Sequence, residues 1–222
     1  ERDRNLPGNS GSAQSRISNP ESRFSMEFSL IDRIRRRAAT RDDVVLGIGD
    51  DAALLRPPTG QELVVSADTL NAGVHFPPDT GAADIGWKAL AVNLSDLAAM
   101  GATPAWVTLS LSLPQADAGW LDAFLDGFLA LAAQHRVALV GGDTTRGPLS
   151  IGVTALGFVP AGAALQRGGA QPGDEVWITG VPGEAAVALA QWRRGEAMQP
   201  GLRARLDRPT PRISACRALR GR

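Results

Sequence analysis

The run Trp106-Val107-Thr108-Leu109-Ser110-Leu111-Ser112-Leu113 constrains the fold more than any other stretch, because bulky apolar residues alternate in it with small hydroxyl residues. A two-residue period puts Val107, Leu109, Leu111 and Leu113 on one side of a strand and Thr108, Ser110 and Ser112 on the other. Such a strand belongs to a sheet with one covered face, antiparallel or mixed. Much of Ile151 to Val159 repeats the pattern, and further β-like runs occur at Ala53-Leu55, Glu62-Asp68, Val137-Val140 and Glu175-Thr179. Long helical patterns fill Ala82-Met100, Asp117-His135 and Gly183-Gly195. The expected class is α+β, or mixed α/β: a mixed or antiparallel sheet flanked by helices.

Three segments are expected along the chain. Residues 1–25 are polar and rich in turn formers, with little to bury, and read as a disordered extension. A helix follows over Phe28 to Arg37, with Ser29 and Asp32 spaced like a capping box. Residues 26–159 form the principal domain. The turn residues Pro160-Ala161-Gly162 mark a boundary, and residues 160–222 read as the start of a second α/β domain that is incomplete, being too short for a good core of its own.

Composition removes several function classes. The chain has 222 residues, 23 basic and 23 acidic, so its formal charge is zero, and no basic stripe interleaved with aromatics favours nucleic acid. Cys216 is the single cysteine, which excludes an internal disulfide and a cysteine-rich metal site. With no apolar run near the ~20 residues of a membrane span and no hydrophobic signal-peptide core, a reducing, cytoplasmic setting is expected. Lys88 is the only lysine and follows Trp87, not a glycine, so a P-loop is absent, as are the kinase, serine-hydrolase and zinc-protease signatures.

What remains is a set of carboxylates at the ends of apolar patterns. Asp68 closes Leu63-Val64-Val65-Ser66-Ala67-Asp68, Asp96 follows Ala91-Val92-Asn93-Leu94-Ser95, and Asp143 follows Val140-Gly141-Gly142. Gly47-Ile48-Gly49-Asp50-Asp51 adds two more in a glycine turn. Carboxylates are seldom buried unless paired or bound to a cation, so the pattern points to hard metal ions and to their usual client, a polyphosphate. Strand periodicity turns Ser66 and Asp68 to one side and Ala67 to the other, where only its carbonyl is available. Helical periodicity puts Asn93 and Asp96 on one face of an otherwise apolar helix. The paired glycines before Asp143 permit close approach of backbone to a ligand. His75 lies in a loop soon after Asp68, within reach of a substrate phosphate, and His135 ends a helix, where it reads as a favourable partner for the helix dipole.

Gly47-Ile48-Gly49-Asp50-Asp51-Ala52-Ala53-Leu54, Asp68-Thr69-Leu70 with Gly73-Val74-His75-Phe76, Lys88 through Ala102 (KALAVNLSDLAAMGA) and Gly141-Gly142-Asp143-Thr144-Thr145-Arg146-Gly147 together closely resemble the thiamine-monophosphate kinase family. The resemblance implies ATP-dependent phosphorylation of thiamine monophosphate to thiamine diphosphate. It also implies a two-domain fold shared with aminoimidazole ribonucleotide synthetase, with N-terminal domains of a homodimer pairing into a β-barrel. Carried onto this sequence, it makes Asp51, Ser66, Asp68, Asp96 and Asp143 magnesium ligands, with Ala67 contributing its carbonyl at most. Gly142, Asp143 and Arg167 would contact ATP, and His75 the thiamine phosphate. A later Asp-x-Ser-Asp-Gly motif of that family is not in this sequence, so a chain with low activity of its own is expected. The alternatives are a non-catalytic dimeric fragment that binds Mg-nucleotide, or a relative such as a selenophosphate or aminoimidazole ribonucleotide synthetase.

Overall fold

The computed structural model describes residues 20–220, with side chains from residue 29 onward. The expected disorder of residues 1–19 lies outside the described residues. Residues 20–25 are helical: α1 spans Pro20–Arg37, so Ser29 falls inside the helix and does not cap it.

Two sheets follow. β1 (Val44–Leu46) and β2 (Leu54–Leu55) form an antiparallel ribbon. The main sheet contains β3 (Gln61–Asn71), β4 (Thr103–Leu113), β5 (Ala138–Arg146) and β6 (Ser150–Pro160), in the order β3-β6-β4-β5. β6 is antiparallel to both β3 and β4, whereas β4 and β5 are parallel, so the sheet is mixed. The parallel pair needs a crossover, supplied by α3 (Ala118–His135), and α2 (Ala82–Ala99) connects β3 to β4.

The alternation in β4 does what its period demands. Val107, Leu109, Leu111 and Leu113 are buried beside Ile151, Val153 and Ala155 of β6 in the core that α2 and α3 cover. The two helices approach at glycines: a β-carbon on Gly86 would lie 2.0 Å from the Phe124 carbonyl oxygen, and one on Gly127 1.7 Å from that of Ala83. Asp117 caps α3, its carboxylate accepting from the Trp120 amide at 3.0 Å.

The opposite face of the sheet is covered only in part. Trp106 and Phe158 meet edge to face at 4.9 Å and, with Ala105, Ala138 and Val140, form a second small core against Val44, Ala53 and Leu55 of the ribbon region. Trp106 Nε1 donates to Asp43 at 3.0 Å, and Arg41 holds the same carboxylate, which ties the ribbon down. Leu63 and Val65, on this face, are 47% and 56% exposed.

Three local readings change. The strand after α3 does not stop at Val140; it continues through Gly141-Gly142-Asp143 to Arg146. Glu175 to Thr179 is not a strand, because no described segment pairs with it, and Val176, Trp177 and Ile178 stand 93%, 84% and 68% exposed. His135 is in the last turn of α3, but burial lowers its pKa and so disfavours the charge that would serve the helix dipole.

Beyond Pro160 the chain forms α4 (Glu184–Arg193), α5 (Pro200–Asp207) and α6 (Ile213–Ala218). The last two return to α2. Ile213 and Cys216 join the main core, and Trp87 Nε1 donates to the Pro209 carbonyl at 3.0 Å.

Candidate functional site

Ser66, Asp68 and Leu70 share the helix side of β3, since their register partners Ala155, Val153 and Ile151 are all buried beneath the helices. Ala67 pairs with Thr154 and faces the other way, as its period requires. Across from Ser66 and Asp68, α2 presents Asn93 and Asp96. The Ser66 hydroxyl donates to Asp96 Oδ2 at 2.7 Å, and the Asp68 amide donates to Asn93 Oδ1 at 3.1 Å. Asn93 is fully buried, and its amide nitrogen donates to the Ala89 carbonyl at 2.9 Å. It is a clip between helix and strand that holds two carboxylate-bearing elements in register. The oxygens it leaves outward, from Ser66, Asp68 and Asp96, are hard donors of the kind magnesium takes.

The second group of predicted residues lies at the opposite edge of the sheet. Asp50, Asp51, Gly142 and Asp143 line a cavity of about 830 Å³ between α1, the Gly47 to Ala53 loop and β5. Gly142 has φ +146°, and a β-carbon there would sit 1.9 Å from the Leu109 carbonyl oxygen. Only glycine lets β5 pass so near β4 at that point, and Asp143 follows directly.

The structure does not merge the two groups within one chain. Asp68, Val153, Leu109 and Gly142 form one row across four strands, and three strand spacings separate its ends by about 14 Å. Asp143 pairs with Ser110, on the face away from the helices. Among the described residues no three His, Cys, Asp or Glu side chains are grouped to hold a metal. The oxygen donors thus form two separate groups, one at each edge of the sheet. Arg167 sits on an exposed loop after β6 and is not part of the cavity lining.

His75 is exposed, and its Nδ1 accepts from the Asn71 amide at 2.9 Å, which leaves the proton on Nε2 for an outside acceptor. Lys88 seats this loop. Its Nζ donates to the His75 carbonyl at 2.8 Å, and burial lowers its pKa while the charge of Asp207 works against that. Asp207 in turn accepts from Arg203, which also pairs with Asp79 at 3.0 Å, so α5 closes a charged network around the His75 to Thr80 segment.

The family profile described as "AIR synthase related protein, N-terminal domain" matches residues 49–159, the stretch that contains both groups. The chain belongs to the AIR synthase related protein family. Among curated relatives it is 53% identical over 203 residues to thiamine-monophosphate kinase from Salmonella typhimurium, covering 87% of this chain and 62% of that protein. The crystal structure of thiamine-monophosphate kinase from Stenotrophomonas maltophilia K279a superposes with a TM-score of 0.79 at 60% identity, covering 87% of this chain and 64% of that one. AaThiL complexed with AMPPCP and TMP superposes at 0.68 with 27% identity, covering 88% of this chain and 62% of that one. The chain thus spans a little under two thirds of the relatives it matches.

Sequence reasoning misses two contributors, and a third, Asn93, it places beside Asp96 without its structural role. The buried role of Asn93 was open to recognition, since an amide amid Ala89, Leu90, Leu94 and Leu97 has no exposed face to occupy. The Lys88 network has no local signal, because Asp207 and Arg203 are far away in sequence. Arg35, which also lines the cavity, is one of five arginines between residues 33 and 41, and nothing in composition singles it out.

Proposed function

We propose that this chain supplies the nucleotide- and magnesium-binding part of a thiamine-monophosphate kinase, which transfers the γ-phosphoryl group of ATP directly onto the phosphate of thiamine monophosphate. The observation that carries the reading is the clip between β3 and α2: Asn93, otherwise a costly buried amide, holds Ser66, Asp68 and Asp96 side by side as oxygen donors. The likeness to thiamine-monophosphate kinases, and to AaThiL complexed with AMPPCP and TMP, supports the choice of substrates.

Phosphoryl transfer asks little covalent chemistry of a protein; positioning and charge neutralisation do most of the work. Magnesium, when bound, neutralises the phosphate oxygens and draws donor and acceptor into line. In this reading Asp51 and Asp143 hold it at the Gly-Gly-Asp strand, and Ser66, Asp68 and Asp96 hold it at the β3 side. Gly142 lets the backbone approach the nucleotide, with Arg167 as a further ATP contact. His75 offers its Nε2 proton to the thiamine phosphate, and Lys88 fixes the loop from which it does so.

A homodimer belongs to the same reading. β4 and β6 are inner strands of the sheet and cannot pair edge to edge with another chain, so a partner would cover the open face where Leu63 and Val65 are exposed. Such pairing would frame the site with residues of both copies.

Calorimetry with Mg-ATP, together with a coupled assay for thiamine diphosphate, tests the proposal. Asp68→Ala and Asp143→Ala should each weaken Mg-ATP binding at least tenfold, about 1.4 kcal/mol. Unchanged affinity in both would refute the metal assignment. Binding without thiamine diphosphate formation would restrict the chain to nucleotide capture.

A further inference from the structure

The arginines of α1 divide by face. Arg33 and Arg37, one turn apart, point to α3, where Arg33 pairs with Asp122 and Arg37 with Asp122 and Asp126. Arg41, beyond the helix, pairs with Asp43. Arg35 stands two residues from both Arg33 and Arg37, about 200° around the helix, and joins none of these pairs. It faces the Gly47 to Ala53 loop instead. A β-carbon placed on Gly49 would lie 2.7 Å from Arg35 Nη1 and 2.9 Å from Cζ, so the guanidinium rests directly on that glycine, which holds φ at +122°.

This places Arg35 in the wall of the 830 Å³ cavity, where it is the one basic side chain of the described lining. Four carboxylates share the wall with it: Asp32, Asp50, Asp51 and Asp143. An arginine kept only to neutralise them would pair with one, yet the described ion pairs contain no such contact. The cavity has the size of a small-molecule site. Its charge pattern suits a polyanion that brings divalent cations for the carboxylates and meets one fixed, non-titrating cation opposite them. A guanidinium fits that role because its planar fork bonds two phosphate oxygens at once.

We propose that Arg35 is a phosphate-binding residue of this cavity, engaging the β- and γ-phosphates of the bound nucleotide. The proposal rests on the nucleotide reading given above and adds a residue from α1 to it. Its bond to phosphate would also fix the Gly49 turn, and with it Asp50 and Asp51.

The test is a ladder of Mg-ATP, Mg-ADP and AMP titrated into the unsubstituted chain, Arg35→Met and Arg35→Lys, with thermal melts as the check on folding. Arg35→Met should lose tenfold or more in affinity for Mg-ATP, less for Mg-ADP, and less than twofold for AMP. Arg35→Lys, which keeps the charge but not the fork, should recover part of the loss. An equal loss for all three nucleotides would make Arg35 a prop for the loop and overturn the proposal, as would no loss at all. If Arg35→Met does not fold, the same gradient from ATP to AMP in Arg35→Lys decides the matter. Failure of the unsubstituted chain to bind any of the three overturns the nucleotide reading itself, and this proposal with it.

Discussion

Trp106 and Trp177 sit in segments that look alike in sequence and differ completely in structure. Each tryptophan adjoins a valine in a β-like run bounded by turn formers. Trp106 is 1% exposed, packed edge to face on Phe158 and bonded to Asp43. Trp177 is 84% exposed, and among the described residues its indole nitrogen donates only to Glu175, two residues away, at 2.9 Å. The difference lies in the neighbours: β4 has a hydrogen-bonded strand on each side, whereas Glu175 to Thr179 has none among the described residues. Strand propensity measures fit to a pleated, half-buried surface, and without that surface it stabilises nothing.

The comparison breaks most readily at Trp106. Trp106→Ala removes the centre of the small core on the open face and should cost about 3–5 kcal/mol, the range for a buried aromatic, read from urea denaturation. A loss below about 1 kcal/mol would mean that the ribbon does not depend on this contact.

Asp43 comes next. Asp43→Ala leaves the indole nitrogen of a buried tryptophan without its partner and should cost about 1–3 kcal/mol. The hydrogen bond from Arg41, against the opposing effect of burial and aided by Trp106, holds the Asp43 pKa below its ordinary value. Its contribution to stability is therefore complete above the ordinary carboxylate pKa and is lost as pH falls through the depressed one. Denaturation between neutral and strongly acid pH should show a steeper acid loss in the unsubstituted chain than in Asp43→Ala. Parallel curves would remove Asp43 as the link between ribbon and sheet.

The smallest effect belongs to the other tryptophan. Trp177→Ala should change stability by less than about 0.5 kcal/mol, as for an ordinary surface substitution. A loss comparable with that of Trp106→Ala would show that the segment is packed in solution against a partner, and the contrast between the two regions would disappear.

The candidate site divides along similar lines. Ser66 and Asp68 were legible as a pair because a strand has one dominant period, and Ala67 was legible as the residue that looks away. The Gly-Gly-Asp motif was recognisable as a close approach of backbone, but of backbone to a ligand, just past a strand ending at Val140. Only the β4 carbonyl at Leu109, against which Gly142 fits, shows it to be the middle of a strand. The separation of Asp68 from Asp143 was illegible, since it depends on strand order, and β6, which comes last in sequence, lies between β3 and β4.

The sequence by itself determined what its local periods encode: which residues of β3, β4 and α2 share a face, the helical run from Asp117 to His135, and the absence of a P-loop or a cysteine-rich metal site. Tertiary structure alone decided the rest. It made Asn93 a clip, Lys88 the seat of the His75 loop through Asp207, and Arg35 the cation of a carboxylate-lined cavity. It also left Val176 to Ile178 unpaired. The physical reason is the range of the interactions. Periodicity and capping act within a few residues, whereas a buried amide, a desolvated ammonium or a strand has its value set by a partner supplied from elsewhere in the chain.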